Sequence, residues 1–449
     1  MAATNSARHN YYEEVRRHQR FNFSLHVVEG FFGWFGYSCF SPGLVLAVYV
    51  GLLTENRFLV VLPGMIQMLS WGLPQLMMAY FVQRFRTRKW LTVIAAAVDR
   101  VANTGIWLSI ALLPVIGPKW SLVMLFACQI VAVPLIGLTH TAWQDLLGRL
   151  ILPGYRGRFF GVSHSVGTMA AWLAAALVGW LLPSSEVKEQ IGPVLYAAHY
   201  VYPLFIGVAV LWASTGLLTL TREAPYPTAG PARDFGDFWR RMYRRFREDE
   251  PLRQYIYARL IGSGAALFGL SLFADYARRD FGISPKFIAA ALGTALYLPQ
   301  MLFSPVAGWL GDRIGFRKLL VASAALGSGA ICVGLSLPIW GDWVAAGFVL
   351  VVFAIGSSWA VGGVGHMNMV YQYGAVEERP IVMALTAGVP SLFFAAAIAA
   401  GGLNVRLLGV PFMLTVSLGY ALAATFAYAF LVTEPPGETG PDAAPSEDA

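Results

Sequence analysis

Charge is scarce in this 449-residue chain: Asp, Glu, Lys and Arg make up 13% of it, about half the share of an ordinary soluble domain. Hydrophobic residues make up 57%. A soluble particle of this size cannot hide that much apolar surface, so composition argues against a soluble enzyme, a disordered chain and a coiled coil. Cysteine is rare too. Cys39, Cys128 and Cys332 lie far apart, each in an apolar run, with no CxxC spacing. That excludes a disulfide scaffold and a zinc site, and leaves three small hydrophobes. Strand-length alternation is missing, which argues against an outer-membrane barrel. No phosphate-binding loop, metal cluster or nucleophile with base and orienter is present. The chain is therefore expected to be no enzyme, to need no cofactor or metal, and not to hydrolyse ATP.

What the chain does have is apolar runs long enough to cross a bilayer, which takes about 20 residues each. Twelve are read at 21–53, 58–82, 90–113, 119–148, 157–182, 197–221, 253–277, 286–310, 319–337, 342–372, 380–403 and 410–433. Pro42, Pro74, Pro134, Pro299 and Pro390 fall inside them, as membrane helices tolerate. Residues 1–20 are polar and the first run is long enough to span, so an uncleaved anchor is expected. The fold class is all-α integral membrane.

Net charge is +7, but its placement says more than its sum. Of the 32 Lys and Arg residues, 23 fall on one alternating set of connections and seven on the other, while Arg100 and Arg259 lie inside spans. The positive-inside rule then puts both termini in the cytoplasm of a multi-pass cell-membrane protein. The richest connection is 222–252. There Phe235, Phe238, Trp239, Met242, Tyr243 and Phe246 form one apolar helical face among five arginines. Such a helix is expected to lie on the cytoplasmic lipid surface with its rings down and its guanidinium groups on anionic headgroups. No nucleic-acid partner is expected. The tail 434–449 is acidic, proline-rich and expected to be disordered.

The two halves repeat. Leu73-Pro74-Gln75 recurs as Leu298-Pro299-Gln300, and Gln83-Arg84-Phe85-Arg86-Thr87-Arg88-Lys89 as Asp312-Arg313-Ile314-Gly315-Phe316-Arg317-Lys318. Six spans on either side of one basic connection suggest two parallel six-helix repeats. The expected division is 1–221, a linker 222–252, 253–433 and the tail. The run Gly308-Trp309-Leu310-Gly311-Asp312-Arg313-Ile314-Gly315-Phe316-Arg317-Lys318 resembles the signature loop of the major facilitator superfamily. In that family the loop joins helices 2 and 3 and has a relic between helices 8 and 9. Here the fuller copy is the second, and the first has Gln83 and Arg86 in place of the acid and the late glycine. Physically, Gly308 and Gly311 permit close helix contact, and Asp312 can accept from a neighbouring helix N-terminus. Gly315 permits the turn, and Arg313, Arg317 and Lys318 hold the loop on the cytoplasmic side. The Gly-Pro element of the drug/proton antiporters and the Pro-Glu-Ser-Pro-Arg element of the sugar porters are absent, so the solute class stays open.

Ionisable groups at membrane depth are expensive and point to function. The resemblance implies that helices 1, 4, 7 and 10 line a central cavity. Glu29, His140, Arg259 and His366 lie in the cytoplasmic halves of these four spans. They are expected to form a charged inner ring, with Glu29 and Arg259 as an ion pair and the histidines as hydrogen-bonding or proton-handling members; separate satisfaction of each is the alternative. Asp99 and Arg100, about 100° apart on span 3, are expected to need separate partners, as a structural buried pair with span 2 or 4; the alternative is a coupling role, with Asp99 as proton carrier. Gln75, Gln129, Tyr297 and Gln300 are neutral polar groups at depth, expected to contact either substrate or a neighbouring helix. His26 and His164 are expected at the interface. The function expected is secondary transport of a small solute by alternating access, coupled to protons, by a monomer among membrane lipids. A drug or lipid exporter, and a non-transporting assembly factor or receptor on the same fold, remain alternatives.

Overall fold

A computed structural model describes residues 2–41, 45–70, 73–82, 85, 87–183, 189–225, 234–373 and 378–435. Pro42, Gln83, Arg84, Arg86 and most of the acidic tail lie outside the described residues. Among those described there is no strand. Two compact units are formed. The first is Met1–Leu150 with Val166–Pro231, and the second is Ile151–Ser165 with Ala232–Ala449.

In the first unit α1 runs Ala2–Cys39, much longer than the apolar run that opens at residue 21. Its polar N-terminal part is ordered because one side of it is covered: Tyr11 and Val15 are buried, and the Tyr11 hydroxyl donates to the Arg149 carbonyl (2.9 Å). The remaining elements are α2 (Ala47–Leu53), α3 (Arg57–Ser70), α4 (Leu73–Val82), α5 (Lys89–Ala111), α6 (Leu113–Leu150), α7 (Arg156–Leu181), whose part up to Ser165 belongs to the second unit, α8 (Pro193–Ala198) and α9 (Val201–Leu218). The α6 segment is bent where Gly117 takes φ +73°, so its spanning part starts at Pro118.

In the second unit α10 (Phe235–Glu248) is the linker helix. It is followed by α11 (Glu250–Ser263), α12 (Leu270–Phe281), α13 (Pro285–Thr294), α14 (Tyr297–Ile314), α15 (Phe316–Ser336), α16 (Val344–Met369), α17 (Arg379–Met383), α18 (Val389–Leu408) and α19 (Val410–Phe426). Nine helical segments among the described residues are each long and apolar enough to cross a membrane. The runs at 21–53, 58–82 and 286–310 are instead covered by interrupted helices.

Packing repeats between the units. In the first, α1 packs on α9, α4 on α6, α5 on α6 and α9 on α5. In the second, α11 packs on α19, α14 on α16, α15 on α16 and α19 on α15. These are the same pairings of first with sixth, second with fourth, third with fourth and sixth with third span. Each unit closes on its own apolar core: Tyr49, Ile110, Leu125, Leu204 and Leu211 in the first, Phe273, Phe348, Val352 and Leu414 in the second. Large side chains such as Trp180, Val115, Ile339 and Leu407 stay exposed, as a lipid solvent requires. The chain is a multi-pass membrane protein.

The linker helix corrects one expectation. Phe238 and Met242 are buried within the second unit rather than turned to lipid, while Phe235 and Tyr243 are exposed. The stripe of six apolar residues is wide enough to divide: its centre docks on protein and its edge is left out.

Candidate functional sites

Glu29 is buried in the first unit between α1, α6 and α9. The Ser214 hydroxyl donates to one carboxylate oxygen (2.7 Å) and the Trp143 indole N–H to the other (3.3 Å). Nδ1 of His26, one turn earlier, is 3.9 Å from that second oxygen. The groups that hold this carboxylate are thus neutral donors of its own unit. His26 is fully buried, not interfacial, with Nε2 3.2 Å from the Thr221 hydroxyl. His140, on α6 one turn from Trp143, faces Gln75 of α4 at 3.4 Å.

Asp99 and Arg100 correct a second expectation. They do not take separate partners on span 2 or 4. Arg100 donates to Asp99 itself and to the Tyr37 hydroxyl (2.6 Å), and that hydroxyl donates to Asp99 (2.6 Å). The guanidinium lies over the Tyr37 ring and also reaches the Leu211 carbonyl of α9. The reason is reach: the Cβ vectors diverge, but a long arginine stem folds back to its neighbour when a third group bridges them. Beside this triad is a cavity of about 40 Å³ lined by Tyr37, Gln67, Asn103 and Gln129 among apolar residues. The Gln129 amide N–H donates to the Pro63 carbonyl (3.0 Å), while its oxygen has no protein partner. A site of that size and polarity suits one ordered water.

The second unit carries a matching cluster on α11, α16 and the end of the last span. The Tyr255 hydroxyl is 2.8 Å from His366 Nδ1, and Tyr255 stacks on Tyr373. Tyr428 packs on His366, and Arg259 sits beside Tyr255 and His366. Gln300 is occupied by helix contacts, donating to the Leu296 carbonyl (2.9 Å) and meeting His164 of α7 at 3.3 Å. Tyr297 is half-buried at the start of α14.

The loop after α14 is held by backbone. Gly157 N–H and Arg158 N–H, the first turn of α7, donate to the two Asp312 oxygens (2.9 and 3.0 Å). Gly308 lets these helices touch, because a Cβ there would fall 2.1 Å from the Gly157 carbonyl oxygen. A Cβ on Gly311 would strike the Phe316 ring, and Gly315 takes φ +91°. Arg313 lies over the Trp309 ring, Arg317 reaches the Tyr428 and Ala429 carbonyls, and Lys318 is exposed.

Two glutamates that no local sequence pattern marks hold helix ends, one in each unit. Glu434, just past the last span, accepts from the N–H groups of Phe316 and Arg317 (2.8 and 3.0 Å) and from the Gln372 amide (2.9 Å). Glu223, just past the sixth span, accepts from Arg88 and Lys89 N–H (2.9 and 2.8 Å). Each caps the third spanning helix of its unit, where orphan donors and the dipole favour an anion. Arg88 in turn pairs with Asp145, which Arg149 also approaches (3.4 Å). For Glu223 the available signal was a single acid beside Arg222 in a basic connection; Glu434, at the head of an acidic tail, carried none.

Two units with the same helix pairings, each with polar groups buried on its first, fourth and sixth spans, define a polytopic membrane protein with an internal structural repeat. Residues 256–448 match the Major Facilitator Superfamily. A search of curated proteins finds no match. Solved structures give the fold. A bacterial homologue of the iron transporter ferroportin is 13% identical over 91% of this chain and 98% of that one, with a TM-score of 0.70. The proton:xylose symporter XylE is 13% identical over 93% and 97%, at 0.68. The E. coli fucose:proton symporter FucP is 15% identical over 92% and 98%, at 0.67. The second half of the chain thus matches the Major Facilitator Superfamily by sequence, and the whole chain shares the fold of these solved transporters.

Proposed function

We propose that the chain is a secondary transporter that moves a small solute across the cell membrane by alternating access, coupled to protons, with both termini cytoplasmic. The observation that carries this reading is Glu29. It is a carboxylate at membrane depth whose two oxygens are met by a hydroxyl and an indole N–H from two other spans. Intramembrane acids mark proton relays and substrate paths. Its donors here are uncharged, so a small separation of α1 from α6 and α9 leaves the charge unsupported, and a proton is the cheapest replacement. Arg259, with Tyr255 and His366, occupies the matching spans of the other unit and serves as the second polar station. Asp312, Glu223 and Glu434 cap helix N-termini inside their own units and keep each unit intact as it moves. Proton symport by two structural neighbours supports the coupling. The test is a proteoliposome carrying an internal pH dye, challenged with L-fucose, D-xylose and Fe²⁺ in turn. A solute-dependent pH change supports the reading; solute uptake with no accompanying proton movement overturns the coupling.

A further inference from the structure

The linker helix α10 has three faces at 3.6 residues per turn. One is turned into the second unit: Phe238 and Met242 are buried, and Arg245 on the same side pairs with Asp249 (2.9 Å) and Glu378 (3.5 Å). The next sector carries Phe235, Trp239, Tyr243 and Phe246, of which Tyr243 is 64% exposed. The third carries Arg240, Arg244 and Arg247, all exposed. Among the described residues no acidic side chain pairs with these three, whereas Arg241 has Asp237 and Arg245 has two acids.

The aromatic sector has a direction. Phe246 packs edge-on against Tyr257 (5.9 Å between centroids), and Tyr257 is 49% exposed on α11. That helix opens the membrane-spanning stretch Glu250–Phe281. The aromatic sector of α10 therefore continues into an exposed aromatic side chain of the spanning helix next to it, with Arg240, Arg244 and Arg247 beside it. Rings at the interface and guanidinium groups next to them are the composition of a helix that lies on an anionic bilayer.

We propose that α10 is a binding surface for anionic phospholipid headgroups. Its aromatic sector enters the bilayer interface, and Arg240, Arg244 and Arg247 bind headgroup phosphates. The Phe238 and Met242 side holds it to the transporter, so lipid composition acts directly on the connection between the two repeats.

The test is hydrogen exchange on the full chain in nanodiscs of phosphatidylcholine alone and with about one third phosphatidylglycerol. The amides of 235–248 should exchange about tenfold more slowly with the anionic lipid, since each basic residue near such a surface strengthens attachment by roughly fivefold. The variant R240Q/R244Q/R247Q, which touches only exposed side chains, should lose the difference and keep its melting temperature. Equal exchange in both lipids overturns the proposal. The acidic segment 436–449, with Glu438, Asp442, Glu447 and Asp448, is the competing occupant. A chain ended after Pro435 must retain the lipid effect. Loss of protection on removing the tail, whatever the lipid, assigns the arginines to the tail and also overturns the proposal.

Discussion

Replacing Glu434 with Ala removes one carboxylate and three hydrogen bonds at a single stroke. Two of the donors, Phe316 N–H and Arg317 N–H, belong to the first turn of α15 and have no partner in their own helix. Losing a helix cap costs about 1 kcal/mol. Losing the anion from a helix N-terminus adds roughly 0.3–1 kcal/mol. The stranded, part-buried Gln372 amide adds roughly 1 kcal/mol. The expected loss is about 2–3 kcal/mol, which for a unit of this size lowers Tm by roughly 4–10 °C. Glu434→Gln keeps one acceptor in place and should lose about half of that. Gly315→Ala should resemble Glu434→Ala, because its Cβ would fall 2.6 Å from a Glu434 oxygen at φ +91°. The double variant should then cost less than the sum, since both changes break one contact. Tryptophan-fluorescence melting of the purified protein reads all four. A Glu434→Ala Tm within about 1 °C of wild type, or fully additive Gly315 and Glu434 effects, would refute the cap.

Burial pushes the Glu223 carboxyl above the usual glutamate range, against the opposing pull of the Arg88 and Lys89 N–H groups and nearby guanidinium charges. A carboxyl that holds its proton more tightly when folded supports the fold at low pH and loses that support as pH rises through its folded value. The Tm of Glu223→Gln relative to wild type should therefore rise from the ordinary glutamate range towards neutral pH; a difference independent of pH contradicts this. Gly308→Ala should separate α7 from α14 at a cost of about 1–3 kcal/mol, read as faster protease cleavage and lower Tm, and an unchanged melt would show that the contact carries no strain. Asp99→Asn leaves Arg100 buried with a broken pair, at a cost of about 3–5 kcal/mol. It should fold poorly in expression trials, while a change of both residues to apolar partners of similar volume should recover much of the yield.

The apolar runs and the basic connections were legible because lipid imposes its rule on every residue of a span. The repeat was legible for a related reason: Gln75 and Gln300 keep their place beside a proline because both units use the same helix pairings. The turn at Gly315 was legible, since a left-handed position leaves few choices. The polar partners were not. Nothing local says that Tyr37 will bridge Asp99 to Arg100, or that Ser214 will find Glu29 from 185 residues away. Glu434 and Glu223 looked like loose ends of spans, because a cap supplied by a distant segment has none of the spacing of a local capping box. Phe238 and Trp239 looked equivalent on a helical wheel, and only the protein beneath Phe238 separates them.

In the proposed mechanism Glu29 carries the proton that couples transport. Glu29→Gln keeps the shape and the Ser214 contact but cannot ionise. The measurement is uptake into proteoliposomes of whichever solute moves protons with the wild type, driven by an imposed pH gradient, beside solute exchange with equal pH on both sides. The account predicts that Glu29→Gln loses gradient-driven accumulation and keeps exchange. Full accumulation by the variant would contradict it and remove Glu29 from the mechanism.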